Sequence, residues 1–252
     1  MCAVYVIVKP PTKRATIETI KLLKELEFDS VFIDLPREFE CYVSEYLKHK
    51  NFDLFIKQIL EIMPSETFPI SSIRGYEELL MALCSLSRGR EVYCYGSVLK
   101  SKLEIEFTFI SAQLTLHDII TNRISIDRWL NILSTRTCDF EKWIREEAEY
   151  IATEASKYGK AVCITGYDGS FLKRQLSRYC KSQIKYTGLP FHLPPIQPLT
   201  RRMSIKNVDQ QEILNSIREH ICFVKDFIIP YGLEDGLELW SRKKLYWLNR
   251  LS

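Results

Sequence analysis

The chain has 252 residues, 46% hydrophobic and 27% charged, with a net charge of +3. That is enough apolar mass for the core of one α/β domain, and the near-neutral balance excludes a uniformly basic or acidic polyelectrolyte. No apolar run approaches the roughly 18 residues of a membrane span. The N-terminus enters a strand-like run without a basic leader, so a cytoplasmic, non-membrane protein is expected.

Residues 3–8 (AVYVIV) read as a buried strand because β-branched residues dominate. Two prolines follow in the loop Lys9 to Arg14 and exclude a helix there. From Thr16 to Leu26 apolar residues fall at 17, 20, 22, 23 and 26, the period of a helix packed on a sheet. Ser30 to Leu35 is a second strand, which completes a parallel βαβ unit. Two helices are predicted over Arg37 to Met63, a loop over Pro64 to Ile73, and a helix over Gly75 to Leu86. Glu91 to Tyr95 is the third strand.

Residues 99–157 then read as a helical insertion, with breaks near Asn122 and Ser134 to Cys138. Ala161 to Thr165 is the fourth strand, followed by the turn Gly166 to Ser170 and a helix over 171–181. Gln183 to Tyr186 is a fifth strand. Pro190 to Pro198, with four prolines, is expected to run extended over the surface. A long helix over Asp209 to Ile229 and an aromatic-rich terminal helix over Leu237 to Leu251 close the chain. The expected fold class is α/β: a mostly parallel sheet of four or five strands, a helical insertion at 99–157 and a helical C-terminal extension. One core domain spans 1–206, and the extension spans 207–252.

Open α/β sheets bind ligands at the carboxyl ends of their strands. Four loops converge there and supply Lys9, Lys13 and Arg14, then Asp34, Arg37 and Glu38, then Asp168 and Ser170. Asp34 and Asp168 are suited to acid–base work or to holding a divalent ion, while Lys9, Lys13 and Arg14 suit an anion. A plainer reading has Asp168 or Ser170 capping the next helix and Asp34 pairing with an arginine. The turn matches neither a dinucleotide nor a P-loop fingerprint, and Ser170 lacks a nucleophile elbow. The eight cysteines show no Cys-x-x-Cys pair and read as buried reduced thiols. His49, His117, His192 and His220 lack the clustering of a metal centre, so no cofactor and no dedicated metal site is expected.

Charge is unevenly spread. Residues 1–159 carry 20 Lys/Arg against 24 Asp/Glu, residues 160–206 carry 9 against 1, and residues 207–252 carry 6 against 7. The basic stretch includes Lys173, Arg174, Arg178, Lys181, Lys185, Arg201, Arg202 and Lys206. Tyr179, Tyr186 and Phe191 are interleaved, which suits nucleic acid or another polyanion. A solvated basic face balanced by the acidic first part is the bland alternative.

In its order of elements the chain resembles the TraB / erythromycin-esterase / Tiki-type α/β superfamily over about residues 3–178. Val31-Phe-Ile-Asp-Leu-Pro36 is similar to that family's acidic strand end. Phe68 to Glu78 followed by Leu79 to Tyr95 is similar to its loop, glutamate-bearing helix and third strand. Trp143 to Ile151 resembles its Arg-rich helix, and Lys160 to Arg178 its last strand and turn. The resemblance implies functional roles for Asp34, Glu77, Arg145 and Asp168. The family's histidines are replaced here by Pro10, Pro11 and Thr12 and by Tyr167 or Asp168, which implies an inactive or repurposed member. Three functions follow as expectations: a divergent esterase-like domain with a hydrolase-like polar site, a nucleic-acid or nucleotide-binding protein using 160–206, or a subunit docking through Trp240, Tyr246 and Trp247.

Overall fold

The computed structural model describes residues 2–63, 73–87, 89–138, 140–205 and 207–245. The chain forms two compact units, Met1–Ile105 with Trp143–Gly188 and Glu106–Lys142 with Leu189–Ser252. The first unit contains the sheet. Its strands are β1 (Ala3–Val8), β2 (Ser30–Pro36), β3 (Glu91–Gly96), β4 (Lys160–Thr165) and β5 (Lys181–Tyr186). All pairs are parallel, in the order β3-β2-β4-β1-β5.

The helices in chain order are α1 (Lys13–Glu25), α2 (Glu40–His49), α3 (Phe52–Ile62), α4 (Glu77–Leu86), α5 (Val98–Thr121), α6 (Ile126–Cys138), α7 (Phe140–Ala155) and α8 (Gly169–Leu176). Then follow α9 (Ile196–Met203), α10 (Gln210–Phe223), a π turn over Val224–Ile228, and α11 (Ile229–Lys244). Helix α1 starts at Lys13 because Thr12 caps it, its hydroxyl accepting the Ala15 N–H at 3.2 Å.

The strand order assigns the helices to faces. The steps β1 to β2 and β2 to β3 run one way across the sheet, and β3 to β4 and β4 to β5 run the other. Right-handed crossovers therefore put α1 to α4 on one face and α7 and α8 on the other. The packing agrees. Ile7, Val31, Ile33 and Ile164 join the core with Leu23, Val43, Ile59 and Leu83. Val4, Val6, Phe32 and Cys163 join Ala148, Ile151, Leu172 and Leu176. Strands β1 to β4 feed both layers by alternation, and each fully buried aliphatic or Phe there contributes about 1.5–3 kcal/mol.

In the second unit, Trp129, Leu133, Leu199, Ile213 and Ile217 form one apolar cluster, and Phe223, Leu237 and Trp240 another. Two expectations are corrected here. Pro190 to Pro198 is not extended throughout: α9 begins at Ile196 and includes Pro198, which the first helical turn tolerates because its amide has no partner there. The helix after residue 209 runs slightly past Ile229, because a π turn carries it through Pro230 and Tyr231, and the expected break falls at Gly232, whose φ of 76° is non-helical. Cys41 and Cys222 are exposed rather than buried, while Cys84, Cys94 and Cys163 fill the core. The predicted loop at 64–73 lies almost wholly outside the described residues.

The turn into α8 depends on close packing. A Cβ on Gly169 would lie 2.5 Å from Val8 Cγ2 and 2.7 Å from Thr165 Cγ2. Gly169→Ala should cost about 1–3 kcal/mol through overpacking, read as a drop of roughly 2–4 °C in Tm per kcal/mol. Adding Val8→Ala should recover part of that loss. An unchanged Tm in the single variant would show that the turn moves aside.

Candidate functional site

Strand alternation puts Phe32 and Asp34 on the α7–α8 face of β2, while Val31, Ile33 and Leu35 point the other way. Asp34 lies near the carboxyl end of β2, two residues before Pro36, and it is half-buried. Three elements bring charge to it. The first turn of α5 contributes Lys100, α7 contributes Glu147, and the β4–α8 turn contributes Asp168 and the Gly166 amide. Glu104, one turn along α5, adds its field. All of these belong to the first unit.

The centre is an ion pair. Lys100 Nζ lies 2.6 Å from Glu147 Oε1, with side-chain exposures of 16% and 6%. A pair this enclosed is stabilising only when further charges and hydrogen bonds offset desolvation. Burial alone would push the Lys100 ammonium down, but Glu147, Asp34 and Asp168 together outweigh it and hold its pKa above the ordinary lysine value. Burial raises Glu147 to about 7, with Asp34 and Asp168 adding to the rise and Lys100 opposing it. Asp34 is raised too, by burial and by Asp168 and Glu104, against Lys100 and the Gly166 N–H. Carboxylates crowded around one ammonium do not all ionise together, so the cluster retains a proton toward neutral pH.

Hydroxyls and cations frame the cluster. Tyr76 Oη donates to the Asp34 carbonyl at 2.8 Å, and Tyr95 Oη donates to the Ile164 carbonyl at 3.3 Å. Burial and Asp34 raise both phenols well above the usual value, so they remain donors. Lys9 lies 6.0 Å from the Tyr76 ring and donates to Thr16 Oγ1 at 3.4 Å, its pKa lowered by burial against the field of Glu78. Arg37 stacks 3.8 Å over Tyr150 and donates to the Tyr95 carbonyl at 3.3 Å. Glu40 accepts from the Cys94 amide and from Tyr150 Oη.

Of the four residues singled out for catalysis, Asp34 and Asp168 come together. Asp168 sits at the N-cap of α8 without a side-chain capping bond, so it does not act as the helix cap. Glu77 acts on Tyr46, on the α2–α4 side. Arg145 is exposed, in the field of Tyr179. The residues missed are Lys100 and Glu147, and both left a signal. Lys100 is a cation in a helical first turn, against the helix dipole. Glu147 interrupts the apolar stripe Ile144, Ala148, Ile151 and Ala155.

The basic residues divide between the two units. Arg174 on α8 and Arg178 in the turn after it are exposed, Lys173 is half-buried, and Arg174 stacks 5.3 Å from Phe171. Lys13 is exposed, and Arg14 pairs with Glu18 at 3.0 Å. Tyr179 donates to Glu149, and Tyr186 is exposed. In the second unit Arg201 is half-buried, Arg202 pairs with Glu212, and Phe191 packs on the Trp240 cluster. Trp240 is itself buried, donating its indole N–H to the Leu193 carbonyl at 3.2 Å. Lys206, Tyr246 and Trp247 lie outside the described residues.

Three of the four histidines, His117, His192 and His220, belong to the second unit. His220 is half-buried against Trp129 and Phe223 in the second unit, and desolvation lowers it to about 4. His192 packs on Trp240, and His117 lies beside Asp118. Among the described residues no group of three or more His, Cys, Asp or Glu could hold a metal ion, and no helix is long and apolar enough to cross a membrane. No family model, curated protein or solved structure matches the chain.

The raised Glu147 carboxyl links this site to stability. Its folded form keeps a proton that the unfolded chain releases from about 4.5, so the folded state loses ground as pH rises from 4.5 to about 7. The expected slope is at most about 1.4 kcal/mol per pH unit for one proton. Glu147→Gln, which can still accept from Lys100, should flatten it. Tm measured from pH 4.5 to 8 in both proteins checks this, and parallel curves would remove Glu147 from the account.

Proposed function

We propose that the chain is a divergent TraB/esterase-like domain whose reacting centre is the carboxylate–lysine cluster at the strand ends, used for acid–base hydrolysis. The observation that carries the reading is the Lys100–Glu147 pair at 2.6 Å, with Asp34 and Asp168 in its field. Pairs of carboxyls whose environments shift them toward neutrality are characteristic of acid–base sites. In this reading ionised Asp34 takes a proton from water, protonated Glu147 gives one to the leaving group, and the Lys100 ammonium stabilises the developing oxyanion. Tyr76 fixes Asp34 through its carbonyl and excludes water from the strand end.

The test is hydrolysis of a panel of activated esters and amides by the purified chain. Asp34→Asn and Glu147→Gln should each lower kcat/KM by about 100-fold or more. The rate profile should show a limb with an apparent pKa near the value of about 7 that burial gives Glu147. Turnover that survives in both variants, or no turnover on any ester or amide, would overturn this reading.

Polyanion binding is the second reading, supported by Arg174 on α8, Arg178 in the turn that follows, and Lys181, Lys185 and Tyr186 on β5, all exposed within one unit. Single-stranded RNA or DNA should then bind with an affinity falling steeply with salt. The double variant Arg174→Glu/Arg178→Glu should abolish it. Absence of binding at low salt excludes this reading.

A further inference from the structure

Helix α5 carries apolar residues on two faces. Its inner face packs Leu114 into the second unit's core, with Phe107 and Ile110 beside it, and buries Ser111, Thr115 and Asp118. Its outer face leaves Phe109 63% exposed, Leu116 49% and Ile120 82%. Residues 107–117 contain no Asp, Glu, Lys or Arg. A solvated helix face is normally charged, and a helix apolar all round is covered all round. The exposed positions are also ordered. The exposed Arg123 lies two residues beyond the helix end at Thr121, and Glu106, Phe109, Gln113, Leu116 and Ile120 are all exposed and follow one another along the helix at spacings of three and four. That is the a/d repeat of a coiled-coil seam.

The seam is complementary to itself in one orientation. In an antiparallel pair each a position faces a d position of the other helix. With the two-fold axis between Gln113 and Leu116, Phe109 meets the second copy's Ile120 and Gln113 meets its Leu116. Glu106 then meets the second copy's Arg123, which is exposed just past the left-handed Asn122 at the helix end. An isologous two-fold contact requires this reciprocity. A parallel pair would set Glu106 against Glu106 and Arg123 against Arg123. An open groove of about 490 Å³ borders the seam, with Ile110, Leu114 and Ile132 among its lining residues, and extends the apolar surface.

We propose that the outer face of α5 is the dimer interface of this protein, its occupant the same helix of a second copy in antiparallel register. A four-turn helix pair buries less than the roughly 800 Å² per partner of a standard interface. The dimer is therefore concentration-dependent, and its steadiest contacts are Phe109 and Ile120.

Sedimentation equilibrium of the full chain from roughly 1 to 200 µM tests this. The chain should show a reversible monomer–dimer equilibrium, and Ile120→Glu should raise its Kd about tenfold or more without changing the circular dichroism. Glu106→Arg should also weaken it, and Glu106→Arg/Arg123→Glu should restore it, because the swap rebuilds the pair in the antiparallel register. A chain that stays monomeric across the range overturns the proposal. So does a dimer indifferent to Ile120→Glu, or a charge swap that fails to restore association.

Discussion

The buried ion pair between Lys100 and Glu147 is the constraint around which the strand ends are arranged. An ammonium placed in the first turn of α5 meets an unfavourable helix dipole and loses its water. It is stable there because Glu147 is within hydrogen-bonding distance and Asp34 and Asp168 add their fields. The pair also ties the first turn of α5 to the middle of α7, two helices whose sequence separation gives them no local reason to meet. Removing either partner would leave an uncompensated charge in a largely dry space, so the residues that make the site chemically distinctive also hold its walls in place.

The strand order explains why the cluster forms where it does. Placing β4 between β2 and β1 brings the carboxyl end of β2 beside the β4–α8 turn. Asp34 thereby comes within reach of the Gly166 amide and the field of Asp168. The same insertion makes α7 cover the face to which Phe32 and Asp34 point. Had β2 paired directly with β1, the two aspartates would stand on strands separated by a third. The outer strand β5 behaves differently: Lys181, Gln183 and Lys185 are exposed along it, and charged residues of this kind discourage a second sheet from adding to the edge.

Much of the fold was legible because its elements are strongly patterned. The β-branched run 3–8, the strand-like run 30–35 closed by Pro36 and the helical period between them specify a parallel unit, and β5 followed from Gln183 to Tyr186. Asp34 and Asp168 were legible as strand-end carboxylates. Lys100 and Glu147 were not, because each sits in a helix otherwise read by its apolar period, and a single charge in such a stripe looks like surface until a partner faces it. The proline-rich segment misled for a physical reason: proline breaks a helix interior yet is accepted in its first turn, and the sequence does not mark that Pro198 lies in the first turn of α9. The π turn after α10 left no pattern of its own, since its residues also fit an uninterrupted α-helix.

His220 gives the second unit an acid response opposite to that of the first. Its imidazole, enclosed by Trp129 and Phe223, titrates near 4 rather than 6.5. Its contribution to stability is therefore complete above about 6.5 and is lost as pH falls toward 4. Glu147 works the other way, favouring the folded first unit at low pH and weakening it as pH approaches 7. One chain thus holds two groups, one in each unit, whose titrations shift stability in opposite directions over overlapping pH ranges.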